Sequence, residues 1–262
     1  MSDSTMTNKT PRGGWVVLLI LALSAIGLYV GTMSRGVFPG LPAKNLAWHL
    51  KLDYAPTLLD SIWGYLIRLL AWNPQGDIAF ASGLLSVICG VAVVVLLAAL
   101  MLRVRFKLHD PHDPDEMKRE GQARVLSAVT AGLFMLFNIP FWVLATRSLP
   151  GTFHLLMLMV AVWFFSEYQR TGKTGWLYSL GLLWGVGITE FPTFLIFTPL
   201  AVVLVVRAML QRAEFSWPVL IRAGLLTLVG LCLYLVNAWS LWADPVVRLR
   251  GFGSVGSVLW YI

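Results

Sequence analysis

The sequence predicts an all-α fold, a polytopic transmembrane bundle of about seven spans with one or two surface helices in the first outer loop. Long apolar segments at residues 15–31, 79–102 and 125–145 are each close in length to the roughly 20 residues that cross a hydrocarbon core. These segments are apolar on every side, whereas a helix of a soluble domain carries one apolar stripe. The composition agrees, with 58% hydrophobic and 13% charged residues and a mean hydropathy of +0.74.

The distribution of basic residues predicts the orientation in the membrane. The net charge is +7, but the Lys and Arg residues lie between apolar segments and form no stripe or arm that would bind nucleic acid. Lys9 and Arg12 precede the first span, which places the N-terminus in the cytoplasm. That span is long and ends in no small-residue cleavage site, so we expect it to remain as an uncleaved anchor.

These signals divide the chain into a cytoplasmic tail (1–14), a transmembrane region (15–242) and an outer segment (243–262). The outer segment ends on an apolar stretch, and we expect it to continue into further sequence. The transmembrane region contains an outer loop (33–78) and a cytoplasmic loop (103–124). The six basic residues of the cytoplasmic loop are the strongest topology signal in the sequence.

The first outer loop contains two candidate surface helices. Residues 57–72 have an apolar side and a polar side at helical spacing, which is typical of a helix lying flat at a membrane surface. The shorter segment 43–51 is the second candidate, with Pro42 suited to its start. The apolar side of the longer helix holds Leu58, Leu59, Ile62, Leu66, Leu69 and Leu70, and the polar side holds Asp60, Ser61, Gly64 and Arg68.

Residues 176–206 are apolar except for Thr189, Glu190 and a few hydroxyl groups, and by length they fit one tilted helix or a hairpin of two short helices. A hairpin keeps the basic residues on both sides of this segment in the cytoplasm, whereas a single crossing separates them. We therefore interpret the segment as a hairpin with Glu190 at its outer tip. Residues 219–242 then form the seventh span.

Three segments of the chain share an order of polar and apolar residues with a known superfamily. They read FPGLPAKNLAWHLKLDYAPTLLDSIWGYLIRLL (38–70), FNIPFWVLATRSLPGTFHLLMLMVAVWFF (137–165) and WLYSLGLLWGVGITEFPTFLIFTPLAVVL (176–204). Together they resemble the N-terminal half of a GT-C superfamily glycosyltransferase, closest to the bacterial relatives of the protein O-mannosyltransferases. The resemblance implies a protein of the bacterial inner (plasma) membrane that moves a sugar from a polyprenyl-phosphate carrier to an extracytoplasmic acceptor.

Two departures from that family bear on catalysis. Members usually carry Asp or Glu in the turn after the first span, where this chain has Leu41-Pro42-Ala43-Lys44. The second outer turn, Arg147-Ser148-Leu149-Pro150, also has no acid. Either the catalytic role has moved or the fold is present without that chemistry. The alternative function is a non-catalytic membrane component or a transporter-like protein, in which Glu190 belongs to a substrate or proton path.

Sugar transfer from a lipid phosphate requires a base for the acceptor hydroxyl and cations for the departing phosphate. Asp53 is the candidate base, since it lies in the first outer loop close to where the family keeps its acid; its alternative role is to accept backbone hydrogen bonds in a turn. Glu190 is the second catalytic candidate, because a carboxylate in apolar surroundings needs a partner or a cavity; alternatively it is a polar tip at the interface. The candidate substrate-binding residues are Arg35, Lys44, Lys51, His49, Arg147 and His154, and each of the cations is alternatively an interfacial anchor.

The sequence offers no convincing metal site. His49 and His154 have no second ligand at metal-binding spacing, and the segment 109–113 (HDPHD) is interpreted as a solvated linker. No cofactor is evident; a divalent metal is compatible with the family but has no ligand set to support it. The expected partners are membrane lipids, a polyprenyl-phosphate sugar donor and an acceptor that the sequence does not identify, and no nucleic acid.

Overall fold

The computed structural model describes residues 13–36, 39–50, 61–72, 77–104, 113–212, 215–243 and 254–256. These residues form ten helices, and the described part of the chain contains no strand. The predicted all-α fold is confirmed. The helices are α1 (Gly14–Thr32), α2 (Leu41–His49), α3 (Ser61–Leu70), α4 (Ile78–Met101), α5 (Pro114–Phe137), α6 (Ile139–Thr146), α7 (Gly151–Thr171), α8 (Thr174–Glu190), α9 (Pro192–Gln211) and α10 (Trp217–Trp242).

Five of these helices, α1, α4, α7, α9 and α10, are long and apolar enough to cross a membrane. A sixth crossing is formed if the bent pair α5 and α6 is counted as one span. The prediction of about seven spans therefore agrees roughly with the structure. The remaining predicted span is α8, which has 17 residues and lies at the short end of the range for a crossing helix.

The third predicted span is not straight, because the chain bends by 65° between α5 and α6. Pro140 has no N–H to donate, and its ring would clash with the carbonyl four residues earlier in a continuous helix. Asn138 sits at the break, where its side-chain oxygen accepts from Phe141 N at 3.0 Å and starts α6. The apolar segment 125–145 is therefore divided between two helices at this point.

The cytoplasmic loop is also shorter than predicted, since α5 begins at Pro114 rather than near residue 125. Asp113 is the N-cap, with its carboxylate accepting from Asp115 N at 2.9 Å. Asp115 and Glu116 follow in the first turn, where negative charge favours the helix N-terminus. About three turns of charged helix therefore precede the apolar part of α5.

The bundle has two apolar cores that occupy different parts of the chain. The first joins α1, α4, α5 and α6 around buried residues such as Tyr29, Val93 and Ala145. The second joins α7, α8 and α9 around Met157, Leu177 and Phe194, with α10 against its edge. A third, smaller cluster on α2 and α3 lies between them, because Trp63 and Ile67 pack with side chains of α4 and α7.

The α8–α9 segment is the predicted hairpin. Phe191 is extended between the two helices, with φ −148° and ψ 125°, and Pro192 starts α9. Trp184 Nε1 donates to Thr198 Oγ1 at 3.0 Å across the hairpin. Arg212, which follows α9, donates at 3.1 Å to Gln169 O in the last turn of α7, five residues before α8 begins. The free ends of both helices thus lie together, and Glu190 lies at the tip.

Candidate functional site

Buried polar residues gather at one end of the bundle. This end carries α3, the start of α7 at Gly151 and the end of α8 at Glu190, and we call it the outer end after the side predicted for it. The opposite end, where α7 ends and α8 begins, is the inner end. The hairpin tip and the first predicted outer loop meet at the outer end, because α3 contacts α4, α8 and α10.

Glu190 lies at the centre of this end, with 1% of its surface exposed. Its carboxylate accepts hydrogen bonds from Ile62 N and, at 3.4 Å, from Trp63 N. Both N–H groups belong to the first turn of α3, where a helix has donors without partners of its own and a partial positive charge. The interfacial-tip interpretation of Glu190 is wrong, since the side chain is enclosed and bound to another helix.

Asn237 of α10 approaches the same turn of α3 from another side. Its Nδ2 donates to Ser61 Oγ, and both side chains are buried. Sequence reasoning missed both residues: it placed Ser61 on the wet side of a surface helix and Asn237 within an apolar span. The available signal was the amide of Asn237 itself, because a polar side chain inside a span usually faces a partner or a cavity.

The orientation of α3 differs from the prediction. Ser61 and Gly64, expected on the polar outer side, face the bundle and are buried, whereas Leu69 is 62% exposed. The small residues permit close approach: a Cβ on Gly64 would lie 2.6 Å from His49 Nδ1. Packing of helices in membranes favours small residues at contacts, and an apolar side chain loses nothing by facing lipid.

Both predicted histidines lie at this end and are buried. The His49 ring lies against Gly64 of α3. The His154 ring stacks on Phe191 at the hairpin tip, with 4.8 Å between ring centroids and 16° between planes. Next to it, Phe153 contacts the Trp63 ring at 6.0 Å. The structure therefore brings Glu190, His49 and His154 together around α3.

The described cations among the predicted site residues lie on segments other than α3. Arg35 and Arg147 are close to one another, since Ser34 N donates to Thr146 O at 3.2 Å immediately before each of them in the chain. Arg35 is exposed and Arg147 is half-buried. Lys44 of α2 is exposed and lies over the Trp48 ring at 4.9 Å. Asp53 and Lys51 lie outside the described residues, so the roles predicted for them stay predictions.

The turn that carries Arg147 is fixed deep against α4. Ser86 Oγ donates to Leu149 O at 3.2 Å, and Thr152 Oγ1 donates to Ser86 O at 3.1 Å. Ser86 lies two turns inside α4, so the turn packs into the bundle rather than above it. Within the described residues, no three His, Cys, Asp or Glu side chains are grouped closely enough to hold a metal ion.

An apolar crevice of about 200 Å³ lies between α7, α8 and α9, below the hairpin tip. Its walls include Leu158 and Ala161 of α7, Trp184 of α8 and Ala201 of α9. The polar atoms in its wall are already used, because the Trp184 indole donates to Thr198, whose hydroxyl donates to Phe194 O at 2.8 Å. Such a lining suits a hydrocarbon chain and not a sugar or an ion.

Comparison with known families identifies the family of the chain. A model described as "Protein O-mannosyl-transferase TMEM260 N-terminal domain" matches residues 56–214, more than half of the chain. The chain belongs to this family. The match extends from before α3 to the end of the hairpin, and so includes Glu190, His154 and Arg147. No curated protein and no solved structure matches the chain.

Family membership confirms the resemblance to protein O-mannosyltransferases and makes this a membrane protein of glycosyltransferase type. The assignment of the chain to the GT-C superfamily and its location in the bacterial inner membrane both stay predictions. The matched residues begin after Asp53 and end before α10. Two of the elements that meet at the outer end, α2 and α10, therefore lie outside the part that the TMEM260 N-terminal domain model covers.

Proposed function

We propose that this protein transfers a sugar, mannose by analogy with its family, from a polyprenyl-phosphate carrier to a hydroxyl acceptor on the outer side of the membrane. The observation that carries the proposal is the family match, which covers the hairpin whose tip binds α3. The site is the outer end, where a buried carboxylate, two histidines and the first outer loop converge.

In the proposed reaction the acceptor oxygen attacks the anomeric carbon of the sugar and forms the new glycosidic bond. The bond from that carbon to the phosphate oxygen breaks, and polyprenyl phosphate leaves with the electron pair. The hydroxyl proton passes to a base, for which we propose Asp53. Arg35, Lys44, Lys51 and Arg147 are the proposed partners of the phosphate, Arg through a bidentate fork and Lys as a point charge.

The crevice beside the hairpin supports a donor with a hydrocarbon chain. Leu158 lies one turn along α7 from His154, and Trp184 lies less than two turns from Glu190 on α8. A lipid whose head group is at the outer end could thus extend its chain between α7 and α9. Free nucleotide sugars, which have no such chain, gain nothing from this feature.

The test uses the full chain in lipid nanodiscs with a radiolabelled polyprenyl-phosphate mannose and a Ser/Thr-containing acceptor peptide. We expect transfer by the wild type and a decrease in kcat of about 10²- to 10⁴-fold in Asp53→Asn, the usual contribution of a general base. Asp77→Asn is the matched control, since Asp77 caps α4 by accepting from Ala79 N at 3.0 Å and Asn caps equally well. Full activity of Asp53→Asn would reject the assignment of the base.

A second function is favoured by one specific observation. The outer turns that carry acids in related enzymes hold Lys44 and Arg147 here. The described residues of these two turns include no acid. This pattern fits a non-catalytic or transporter-like member that binds a lipid-linked sugar without cleaving it. Wild-type protein that binds the labelled donor but yields no glycosylated peptide with any acceptor offered would support this second function and contradict the first.

A further inference from the structure

The first turn of α3 is held from two sides by residues of two other helices. From α8, the Glu190 carboxylate accepts from Ile62 N and from Trp63 N. From α10, Asn237 Nδ2 donates to Ser61 Oγ. Glu190 is 1% exposed, Ser61 4% and Asn237 8%, so water has little access to these bonds. We call Glu190 and Asn237 together the α3 clamp.

The clamp supplies the hydrogen-bonding groups that the start of a helix lacks. The first N–H groups of a helix have no partner in the helix itself, and burying them without an acceptor is costly. A carboxylate supplies two acceptor atoms and a charge that favours the positive end of the helix. Asn237 adds what the carboxylate cannot, a donor, and so binds the hydroxyl of the residue immediately before Ile62.

The clamp is supported by close contact between its two helices. A Cβ on Gly230 of α10 would lie 2.6 Å from Leu182 O of α8, which shows how near the two backbones are. Such glycine contacts hold transmembrane helices at a fixed separation. Glu190 and Asn237 are therefore fixed relative to one another, and α3 is the element that they position.

The position of this turn matters because of what precedes it in the chain. Residues 51–60, which carry Asp53, lead directly into Ser61. We propose that Glu190 and Asn237 are positioning residues: they fix the first turn of α3 at the outer end, and the sugar transfer proposed for that end depends on this turn being held in place. This inference rests on the proposed function for its activity readout, and it assigns a role to α10, which lies outside the family match.

The first experiment measures the clamp without any reaction. Amide hydrogen exchange of the full chain in nanodiscs reports on α3, with Glu190→Ala, Asn237→Ala and the double variant compared with the wild type. We expect exchange at Ile62 and Trp63 to become about tenfold faster in Glu190→Ala, the effect of losing a helix cap. The double variant should differ from the sum of the single variants, because both residues act on one turn.

A matched control removes another buried carboxylate. Glu167→Ala changes a glutamate that is 4% exposed but lies at the inner end. It should leave exchange in the first turn of α3 unchanged, which separates loss of the clamp from general weakening of the bundle. Equal acceleration in Glu167→Ala and Glu190→Ala would overturn the clamp.

The second experiment separates positioning from chemistry by using conservative variants in the transfer assay. Glu190→Gln keeps one carbonyl acceptor for α3 but cannot act as a base or acid. We expect Glu190→Gln to retain transfer within about tenfold of wild type, and Glu190→Ala and Asn237→Ala to lose more, mainly in kcat. Loss in Glu190→Gln as severe as in Glu190→Ala, with α3 exchange unchanged, would make Glu190 a catalytic residue and overturn the proposal.

The two experiments fail independently. If the wild type transfers no sugar but the exchange data show the expected acceleration, the proposed function is wrong and the clamp stands as a structural assignment. If the wild type transfers sugar and both alanine variants keep wild-type transfer and exchange, the clamp is wrong and the proposed function stands.

Discussion

Glu190 and Glu167 are two buried glutamates at opposite ends of the same bundle, and the contacts described for them are of different kinds. Glu190 binds backbone N–H groups at the start of α3. Glu167 forms ion pairs with two arginine side chains, Arg103 just after the end of α4 and Arg170 one turn further along α7. Among these contacts, Glu190 binds a helix terminus, whereas Glu167 binds charged side chains.

The inner pairing is supported by further contacts. Arg170 donates to Glu167 Oε2 through Nη2 at 2.7 Å and through Nε at 3.0 Å, while Arg103 Nη1 donates to the other oxygen, Oε1. The Arg103 guanidinium lies 3.4 Å from the centre of the Trp163 ring, which adds a cation–π contact. Yet the side chains of Arg103 and Arg170 are 32% and 45% exposed, so both arginines can exchange the carboxylate for water.

This comparison shows which end tolerates change. Backbone N–H groups in the first turn of α3 cannot rotate away to another partner, whereas the arginines can move toward solvent or lipid head groups. Loss of the carboxylate at the outer end therefore leaves a fixed and unsatisfied turn. Loss at the inner end leaves two mobile cations.

The largest expected effect comes from making the same substitution at both sites. Glu190→Leu should lower the free energy of unfolding by about 3 kcal/mol, because it leaves two buried donors without the charged acceptor that they had. Glu167→Leu should cost only about 1 kcal/mol after the exposure of its arginines is taken into account. Denaturant titration in detergent micelles measures both, and equal losses would contradict the contrast between the two ends.

An intermediate effect is expected from removing one cation at the inner end. Arg103→Ala removes the ion pair with Glu167 and the contact with Trp163, and should cost about 1 kcal/mol, with less effect at high salt. Arg103→Lys, the matched control, keeps the positive charge but lacks the planar guanidinium that lies over the Trp163 ring. It should therefore recover part of the lost free energy of unfolding. The same titration at low and high ionic strength decides this. An effect independent of salt would show that Trp163 packing, and not charge, dominates.

The smallest effect is expected at the free ends of the hairpin. Arg212→Ala removes the hydrogen bond to Gln169 O and should change the free energy of unfolding by about 0.5 kcal/mol. The same change should speed amide exchange at the last turn of α9 and not at Glu190, because the hydrogen bonds at the two ends of the hairpin involve different residues. Faster exchange at the tip as well would mean that the two ends of the hairpin are coupled. The outer and inner ends of the bundle could then not be treated as independent.

Several features of the candidate site followed from the sequence for clear reasons. Glu190 was placed at the tip of a hairpin because basic residues on both sides of residues 176–206 require an even number of crossings on the positive-inside rule. Pro42 was placed at the start of α2, where the structure has it, because proline needs no N–H partner there. The role of Asp53 stays a prediction.

Other features depended on contacts that are distant in sequence. The Asn237–Ser61 bond joins residues 176 positions apart, and nothing near either residue signals the other. The bend at Asn138 was missed although Pro140 gave a local signal, since a proline within an apolar segment is compatible with a continuous kinked helix as well as with a break.

By itself the sequence determined that this is a helical membrane protein with a hairpin whose carboxylate lies at the tip, because hydrophobic length, proline position and basic residues act locally along the chain. Only the tertiary structure decided which face of α3 meets the bundle and what Glu190 binds. In lipid, apolar side chains do not have to turn inward, so hydrophobicity does not select the packed face of a helix. Small residues and complementary hydrogen-bonding groups select it, and for Ser61, Gly64, Glu190 and Asn237 these are brought together only by the fold.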